Sequence, residues 1–262
     1  MEKTTIIVEA SKNWLTKENM TIDEALKNAK TLALVAKDCG SDIVKFQCHV
    51  AEDELKKRHQ KRHHWIKLNE SLTPYKGFWH PLKNYCNEIG IKFLVTPMSA
   101  LAAQKMDNLV EGWKVASPDI QDFYLLEYLK STGKEIILSS GMTEKKVQDR
   151  ACDFLKDNYY ILHCVSEYPL PIYHANMWEL DYYDGLSDHT TSLVSGAVAV
   201  GLKAKFIEKH FTYNGWGKDS NVSLSPEELR IYINNIREAE LLMQRNQRPT
   251  EKELENLKEH WV

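Results

Sequence analysis

The stretch AKFIEKH at residues 204–210 is a short β-rich run that ends on a glutamate, a lysine and a histidine. Seven comparable runs precede it, and stretches of helical period separate them along the chain. The eight predicted strands are residues 4–10, 42–47, 91–96, 113–117, 134–139, 159–165, 184–188 and 204–210. Strands that alternate with helices pair in parallel through right-handed crossovers. The pattern therefore predicts an α/β fold with a parallel sheet.

Apolar residues between the strands recur at helical spacing, as in Ala25, Ala29, Leu32 and Ala36. The helical predictions cover residues 21–39, 75–89, 101–110, 122–131, 143–156, 191–201 and 226–243, with a shorter piece near 175–181. Eight repeats in 262 residues favour a single closed (β/α)8 TIM barrel, which takes about 250 residues. An open doubly wound sheet is the alternative, but its G-x-G-x-x-G phosphate loop is absent.

Two segments depart from this rhythm. Residues 49–71 are long and charged, and we expect them to form a functional loop after the second strand. Residues 250–253, TEKE, have capping-box spacing and start a helix with Leu254, Leu257 and Trp261 on one side. We therefore expect a catalytic barrel over residues 1–245, a helical extension over 246–262, and no further domain.

Composition excludes several classes of protein. Lys and Arg total 34 against 37 Asp and Glu, a net charge of −3 that makes nucleic acid an improbable partner. The five cysteines are scattered without a C-x-x-C pair, which suits a reducing cytoplasm. No stretch approaches the roughly 20 apolar residues of a membrane span. We expect a cytoplasmic protein with no membrane partner.

Polar residues end almost every predicted strand. In a (β/α)8 barrel the carboxyl ends of the strands carry the chemistry, so these side chains should converge on one mouth. They are Glu9, Lys45, Gln47, Thr96, Lys114, Ser117, Ser139, His163, Ser166, Ser187, Asp188, His189, Glu208 and His210.

His189 and His210 end neighbouring strands, so their imidazoles are candidates to share one metal ion. The alternative is that each histidine caps its strand by a hydrogen bond to the backbone. Lys45 and Lys114, with the nearby hydroxyls, are candidates for an oxyanion site. In the alternative interpretation each lysine pairs with a carboxylate such as Glu9 or Glu208.

Glu9 and Asp219 are candidate acid–base groups, although a single loop aspartate is usually a turn residue or a helix cap. His59, His63 and His64 lie in the basic run KKRHQKRHH, and we interpret them as part of a solvated surface rather than a metal site.

The chain resembles the catalytic barrel of N-acetylneuraminate (sialic acid) synthases over about residues 4–243. The similar stretches follow one another at the strand ends. They are VKFQ at 44–47, VTP at 95–97, WKVASPDI at 113–120, KEIILSSGM at 134–142, LHCVSEYPLP at 162–171, GLSDHT at 185–190, IEKHFT at 207–212 and SLSPEEL at 223–229.

This resemblance implies condensation of phosphoenolpyruvate with an open-chain aldose, such as an N-acetylmannosamine-like sugar, to give a 2-keto-3-deoxy acid and phosphate. It assigns a divalent metal to His189 and His210, with Mn the first choice and Mg or Co as alternatives. It assigns catalytic positions to Glu9, Asp219 and Asp119, and weaker sugar contacts to Asn13 and Gln47. The implied phosphoenolpyruvate contacts are Lys45, Thr96, Lys114, Ser117, Ser139, Asn176 and Ser187.

The chain also departs from the family pattern. The first-strand motif E-I-G-x-N-H-N-G is EASKNWLT at 9–16, and the G-P-D of the last loop is G-K-D at 217–219. The family's C-terminal antifreeze-like domain is expected to be missing, and a homodimer is a possible assembly. Two other functions stay open: a metal-dependent pyruvate aldolase, and a non-catalytic barrel that binds phosphoenolpyruvate.

Overall fold

The computed structural model describes residues 3–244 and 249–260 and contains one closed barrel of eight parallel strands. The strands are β1 (Thr5–Ser11), β2 (Ile43–Cys48), β3 (Lys92–Pro97), β4 (Gly112–Val115), β5 (Glu135–Ser139), β6 (Tyr159–Cys164), β7 (Gly185–Asp188) and β8 (Phe206–His210). Each strand pairs with the next in sequence, and β1 pairs with β8 to close the barrel. The predicted (β/α)8 barrel is confirmed.

Helices surround this barrel. The α-helices are α1 (Ile22–Asp38), α2 (Ala51–Glu54), α3 (His63–Leu72), α4 (His80–Ile89), α5 (Ala100–Met106), α6 (Phe123–Ser131), α7 (Lys145–Leu155), α8 (Ser195–Gly201), α9 (Pro226–Leu242) and α10 (Glu251–His260). Capping boxes at Thr21 and Ser225 begin α1 and α9, the two longest helices, by satisfying their free N–H groups. The segment predicted as helical near 175–181 is a 3₁₀-helix, Met177–Tyr182.

The apolar core lies mainly between the strands and the helices. Inside the barrel, Ile7, Leu94, Ile137 and Leu162 form a separate small cluster that plugs the amino-terminal half. Buried polar and charged side chains gather instead at the carboxyl ends of the strands. Apolar side chains fill the amino-terminal half of the barrel interior. The polar mouth at the carboxyl end is therefore a pocket and not part of a channel.

The segment 49–71 is largely helical, so the expected loop was wrong. It contains α2, a 3₁₀-turn at Gln60–Arg62 and α3. Ile66, Asn69 and Leu72 of α3 are buried at helical spacing, and this buried face holds the segment against the barrel. Its charged residues hid that short apolar stripe.

The predicted C-terminal helix is present as α10. The Thr250 hydroxyl accepts from the Glu253 N–H at 3.2 Å and the Glu253 carboxylate accepts from the Thr250 N–H at 2.6 Å, which confirms the capping box. Leu254 and Leu257 are exposed. Trp261 and the predicted boundary at 245–246 lie outside the described residues. In the described part of the chain, no helix combines the length and apolar character needed to cross a bilayer.

Candidate active site at the carboxyl ends of the strands

A cavity of about 400 Å³, here called the mouth cavity, opens where the strands end. Its lining contains most of the predicted site residues and several that were not predicted. The polar and charged lining residues are Glu9, Lys12, Lys45, Gln47, Arg62, Thr96, Lys114, Ser117, Ser139, Tyr168, Ser187, His189, Glu208, His210, Lys218, Asp219 and Asn221. Most of the side chains predicted from the strand ends therefore share one cavity, and their roles stay predictions.

Alternation along β7 and β8 decides which side chains reach this cavity. Ser187 and Glu208 line it, whereas Asp188 and Lys209 point outward and form a buried ion pair at 2.7 Å. Asp188 also accepts a hydrogen bond from Ser195 at 2.6 Å. This outward pair joins the ends of β7 and β8 beside His189, which follows β7, and His210, which is the last residue of β8.

Lys45 is held at the floor of the mouth cavity by oxygen atoms. It forms an ion pair with Glu9 and donates to the Thr96 hydroxyl at 2.8 Å. Burial lowers the pKa of Lys45 to about 7, although Glu208 opposes that effect. The structure therefore contains the ion pair between Lys45 and Glu9 that the alternative interpretation predicted. Both residues of this pair line the mouth cavity.

Lys114 approaches the same floor from β4. It donates to the Ser139 hydroxyl at 2.5 Å and to the Val115 carbonyl at 2.9 Å. Its ammonium and that of Lys45 each lie 3.8 Å from one oxygen of Glu208, Oε2, which has no hydrogen-bond partner among the described residues. Two cations thus share one carboxylate and are available to a dianionic ligand.

Glu208 is the central anion of this network. Burial disfavours its charged form, but Lys114 and Lys45 outweigh burial and lower the pKa of Glu208 to about 2. Ser187 donates to its other oxygen at 3.3 Å. A carboxylate that stays ionised between two ammonium groups keeps both of them oriented toward the cavity.

The imidazoles of His189 and His210 come together, with ring centroids 5.3 Å apart. His189 Nδ1 lies 2.9 Å from the Val165 carbonyl, which can only accept, so Nδ1 donates the hydrogen bond and the lone pair of the neutral ring is on Nε2. Burial disfavours the charged ring, but the neighbouring Cys164 outweighs burial and raises the pKa of His189. His210 Nδ1 is buried without a partner in the described residues, and burial lowers the pKa of this imidazole to about 3. The ring of Tyr168 lies 4.4 Å from that of His189.

These features fit a divalent cation, because neutral imidazoles with free nitrogen atoms are good ligands for Mn, Co or Zn. Within residues 3–244 and 249–260, no group of three or more His, Cys, Asp or Glu side chains is arranged to hold a metal. A cation bound by these two histidines would take its other ligands from water and substrate.

Asp219 lies on the loop after β8 and faces the first-strand turn. Its carboxylate accepts from the Ser11 hydroxyl at 2.6 Å and lies 3.6 Å from the Lys12 ammonium. Burial opposes ionisation of Asp219, but Lys12 leads the effects that lower its pKa. The loop fits tightly, since a Cβ on Gly217 would lie 2.4 Å from Asn13, and the φ of Gly217 is +78°.

Three residues that the resemblance assigns to the site, Asp119, Asn13 and Asn176, lie away from the cavity lining, as do three of the predicted strand-end residues, His163, Ser166 and Asp188. Asp119 is buried and receives Arg58 Nη2 at 2.5 and 2.7 Å from its two oxygens. Asn13 is buried and donates to the Phe211 carbonyl at 2.8 Å, so it fixes the loop after β8. Asn176 is exposed and has a φ of +47°. It follows Ala175, whose carbonyl lies 2.8 Å from His163 Nε2. Their roles as ligand contacts stay predictions.

Sequence reasoning missed Lys12, Arg62, Tyr168 and Lys218, which also line the mouth cavity. Lys12 and Lys218 lie within the two motifs that depart from the family pattern. Attention to those two motifs could therefore have identified both lysines as site residues. Arg62 comes from the segment 49–71, where many residues are charged. Its position there gave no indication that its side chain faces the cavity.

A second cavity of about 320 Å³, here called the rim cavity, adjoins the first. It lies between α3, the loop after β8 and the first-strand turn. It is lined by Lys12, His49, Glu54, Arg58, Lys61, Arg62, Trp65, Ile66, Met98, Lys218 and Asp219. Five of these residues, Lys12, Arg62, Met98, Lys218 and Asp219, also line the mouth cavity, so the two cavities adjoin.

Known families and curated proteins give a consistent result. The NeuB family matches residues 32–248, more than half of the chain. The chain belongs to the NeuB family. The N,N'-diacetyllegionaminic acid synthase of Campylobacter jejuni is 31% identical over 93% of this chain and 78% of that protein. The Homo sapiens N-acetylneuraminate-9-phosphate synthase is 30% identical, over 80% of this chain and 65% of that protein. The resemblance noted from the motifs is confirmed.

An uncharacterized protein of Methanocaldococcus jannaschii is 35% identical over 82% of this NeuB-family chain and 66% of its own length. The chain thus spans slightly under two thirds, 65–66%, of the length of several curated relatives. Among solved structures, the sialic acid synthetase of Leptospira borgpetersenii, crystallised with citrate, superposes with a TM-score of 0.84 at 26% identity, covering 99% of this chain and 92% of that one. The Leptospira structure therefore shares the fold of this chain over nearly its whole length.

Proposed function

We propose that this NeuB-family chain condenses phosphoenolpyruvate with the aldehyde of an open-chain aldose, giving a nonulosonate-like 2-keto-3-deoxy acid and phosphate. The observation that carries the proposal is one cavity that combines two buried ammonium groups, several hydroxyls and two adjacent imidazoles. Curated relatives named as sialic, legionaminic and pseudaminic acid synthases support the reaction class.

Phosphoenolpyruvate has two anionic ends, a phosphate and a carboxylate. Lys45 and Lys114 supply the positive charge for it, and Thr96, Ser139 and Ser187 supply neutral donors on neighbouring strands. Glu208 keeps the two ammonium groups apart from each other and pointed at the ligand. These groups are already ordered by hydrogen bonds, so little reorganisation is needed on binding.

In the reaction, C3 of phosphoenolpyruvate attacks the aldehyde carbon and the new C–C bond leaves positive charge at C2. Water adds at C2, and one of its protons ends on the former aldehyde oxygen as the new hydroxyl. The bond between C2 and the phosphate ester oxygen then breaks, phosphate leaves with the bonding electrons and the remaining hydroxyl proton, and C2 becomes the keto carbon. Glu9, oriented by Lys45 and by Gln47 at 3.4 Å, accepts the proton of that water. Asp219 holds a second carboxylate at the side where the aldose enters.

A divalent metal, with Mn²⁺ the first choice, would be held by His189 and His210 and would supply Lewis-acid polarisation of the aldehyde oxygen. The Tyr168 ring packs against the His189 ring at this side of the cavity. A homodimer and a cytoplasmic location stay predictions.

The test is release of phosphate by the full-length chain with phosphoenolpyruvate, Mn²⁺ and a panel of hexoses, N-acetylhexosamines and their phosphate esters. We expect release only when all three components are present. Replacing phosphoenolpyruvate with pyruvate distinguishes an aldolase, because an aldolase would form its product from pyruvate and the sugar in the absence of phosphoenolpyruvate. Absence of phosphate release from every pair, with tight phosphoenolpyruvate binding by calorimetry, would instead favour a non-catalytic binding barrel.

A further inference from the structure

A buried hydrogen-bond network lies on the outer side of β7 and β8, behind the mouth cavity. Its centre is the Asp188 carboxylate, which is 2% exposed. One oxygen, Oδ1, accepts from the backbone N–H and the hydroxyl of Thr190 at 2.9 and 2.8 Å. The other, Oδ2, accepts from Ser195 at 2.6 Å, Lys209 at 2.7 Å and Tyr232 at 3.1 Å. These donors fill the roughly four acceptor positions of a carboxylate.

Lys209 is the cation of this network, and none of its surface is exposed. Its ammonium also donates to the Thr190 carbonyl at 2.5 Å and lies 5.1 Å from the centre of the Tyr232 ring. Gly196 of α8 makes room for that ring, because a Cβ there would lie 2.8 Å from Tyr232 Cζ. Helices α8 and α9 therefore close tightly over the ion pair.

The network surrounds the residues that carry the two imidazoles. His189 lies between Asp188 and Thr190, and the hydrogen bonds between these two neighbours close a turn around it. His210 follows Lys209 directly. Because the Lys209 ammonium contacts both neighbours of His189, a single side chain connects the backbone positions of the two histidines.

Backbone pairing between β7 and β8 stops just before the histidines. The last paired residues of these two strands are Asp188 and Lys209. His189 Nδ1 has the Val165 carbonyl at 2.9 Å, whereas His210 Nδ1 has no hydrogen-bond partner among residues 3–244 and 249–260. The side-chain bond between Lys209 and Asp188 therefore continues the connection of the two strands at the point where their ladder ends.

We infer that the Lys209–Asp188 bridge is a positioning device, which holds the imidazoles of His189 and His210 at the separation that lets both bind one divalent cation. This inference rests on the proposed function, which assigns the cation to these two histidines. A pair that only strengthened the sheet would not need to bond the turn around His189. Lys209 and Asp188 are positioning residues, because their side chains point away from the mouth cavity and act through the histidines.

The experiment measures Mn²⁺ binding to the metal-free full-length protein, without either substrate, by electron paramagnetic resonance of the free ion. The test variant combines Asp188→Asn with Lys209→Met, so that neither member of the pair is left as an unpaired buried charge. The introduced amide oxygen still accepts from Thr190, so the turn is kept while the bridge to β8 is lost. We expect Mn²⁺ to bind about tenfold more weakly and phosphoenolpyruvate to bind within about twofold of the unaltered protein.

The matched control is Leu129→Ala, which opens a cavity in the core under α6, between β4 and β5 and away from the histidines. This variant lowers stability without altering the bridge, so its Mn²⁺ affinity should equal that of the unaltered protein. If the pair were purely structural, the double variant would also keep that affinity, and this result would overturn the inference.

Tyr232→Phe tests whether the bridge itself is responsible. It removes one donor from Asp188 and leaves both the ring and the bond to Lys209, so Mn²⁺ affinity should stay within about twofold. A loss as large as that of the double variant would assign the positioning to the phenol and overturn the role of the bridge.

Spectra of the histidine ring nitrogens, recorded by NMR without metal, separate this inference from the proposed function. We expect the ring signals of His189 and His210 to shift in the double variant and to keep their positions in Leu129→Ala. If the unaltered protein bound no Mn²⁺ but showed these shifts, the proposed metal would be contradicted and the positioning of the imidazoles would stand. Unchanged ring signals in the double variant would overturn the positioning.

Discussion

The floor of the mouth cavity and the wall of the rim cavity both carry lysine, but the two regions treat its charge differently. On the floor, Lys45 and Lys114 are buried and each has an oxygen partner at hydrogen-bond distance. At the rim, Arg62 and Lys218 are exposed, and Lys218 contacts an aromatic ring. The strand ends fix the positions of the floor residues for one small ligand. Loops and α3 position the rim residues, and the two motifs that depart from the family pattern, at 9–16 and 217–219, contribute to the rim.

This contrast predicts that charge removal on the floor has the largest effect on activity. In Lys114→Met, Glu208 loses one of its two cations and the ligand loses a donor, at a cost of about 2–5 kcal/mol. We expect a roughly hundredfold to thousandfold fall in kcat/KM for phosphoenolpyruvate. Lys92→Met, an exposed lysine at the amino end of β3, is the control and should retain activity. A loss below about tenfold would remove Lys114 from the site.

The buried pair behind the floor should dominate stability. Lys209 and Asp188 have almost no exposure, so Lys209→Met leaves a buried carboxylate uncompensated and should destabilise the fold by about 3–5 kcal/mol. The comparison is Lys205→Met, which removes the exposed pair with Asp184 at 3.0 Å and should cost at most about 1 kcal/mol. Denaturant unfolding measures both, and equal costs would show that the buried pair does not hold the ends of β7 and β8.

The sequence predicted the floor because strand geometry leaves little choice. Once β2, β4 and β8, which are alternate rather than neighbouring strands, are placed in one parallel barrel, Lys45, Lys114 and Glu208 must project into its interior. The same rule sent Lys209 outward, which the polar pattern alone did not reveal.

The rim was not predictable in the same way. Lys12, Arg62 and Lys218 come from three loops or turns far apart in sequence, and no ladder of backbone hydrogen bonds fixes their mutual position. The segment 49–71 was expected to be a loop because its charge obscured the buried face around Ile66 and Leu72. Asp119 was placed beside the reacting centre by resemblance, and its pairing with Arg58 emerged only from the packing.

A pH experiment distinguishes the floor from the rim. Burial lowers the pKa of Lys45 to about 7, so its ammonium is lost as pH rises above 7 and an anion should then bind more weakly. We expect the Kd for phosphoenolpyruvate to rise by up to tenfold per pH unit above pH 7, and this slope to vanish in Lys45→Met. Because the unfolded lysine holds its proton up to its ordinary pKa of 10.5, this group makes stability rise with pH across the same window. A flat Kd in the unaltered protein would contradict the lowered pKa.

Variants of Asp119, with a smaller expected effect, test whether this residue positions Arg58 at the rim cavity. Burial raises its pKa to about 6, against the opposing effect of Arg58. If Asp119 acts by holding Arg58 at the rim cavity, Asp119→Asn should raise the KM of the acceptor about tenfold and leave the KM of phosphoenolpyruvate unchanged, and Arg58→Met should do the same. A turnover rate that drops about a hundredfold or more with every acceptor would instead give Asp119 the catalytic role that the family resemblance implies.

The smallest expected effect lies at the boundary between the two regions. Ser11 has φ of +52° and donates to Asp219 at 2.6 Å, where the family motif has glycine. In Ser11→Gly, relief of the left-handed backbone and loss of the hydrogen bond offset each other to within about 1 kcal/mol, so stability changes little. The pKa of Asp219 should rise, and because the proposed reaction uses its carboxylate, the acid limb of the pH–rate profile should move to higher pH. Asn214→Gly, at an exposed site with φ of +53°, relieves the same strain without touching Asp219 and should leave the limb in place. An equal shift in both variants would mean that loop strain, rather than the Ser11 hydroxyl, sets the charge of Asp219.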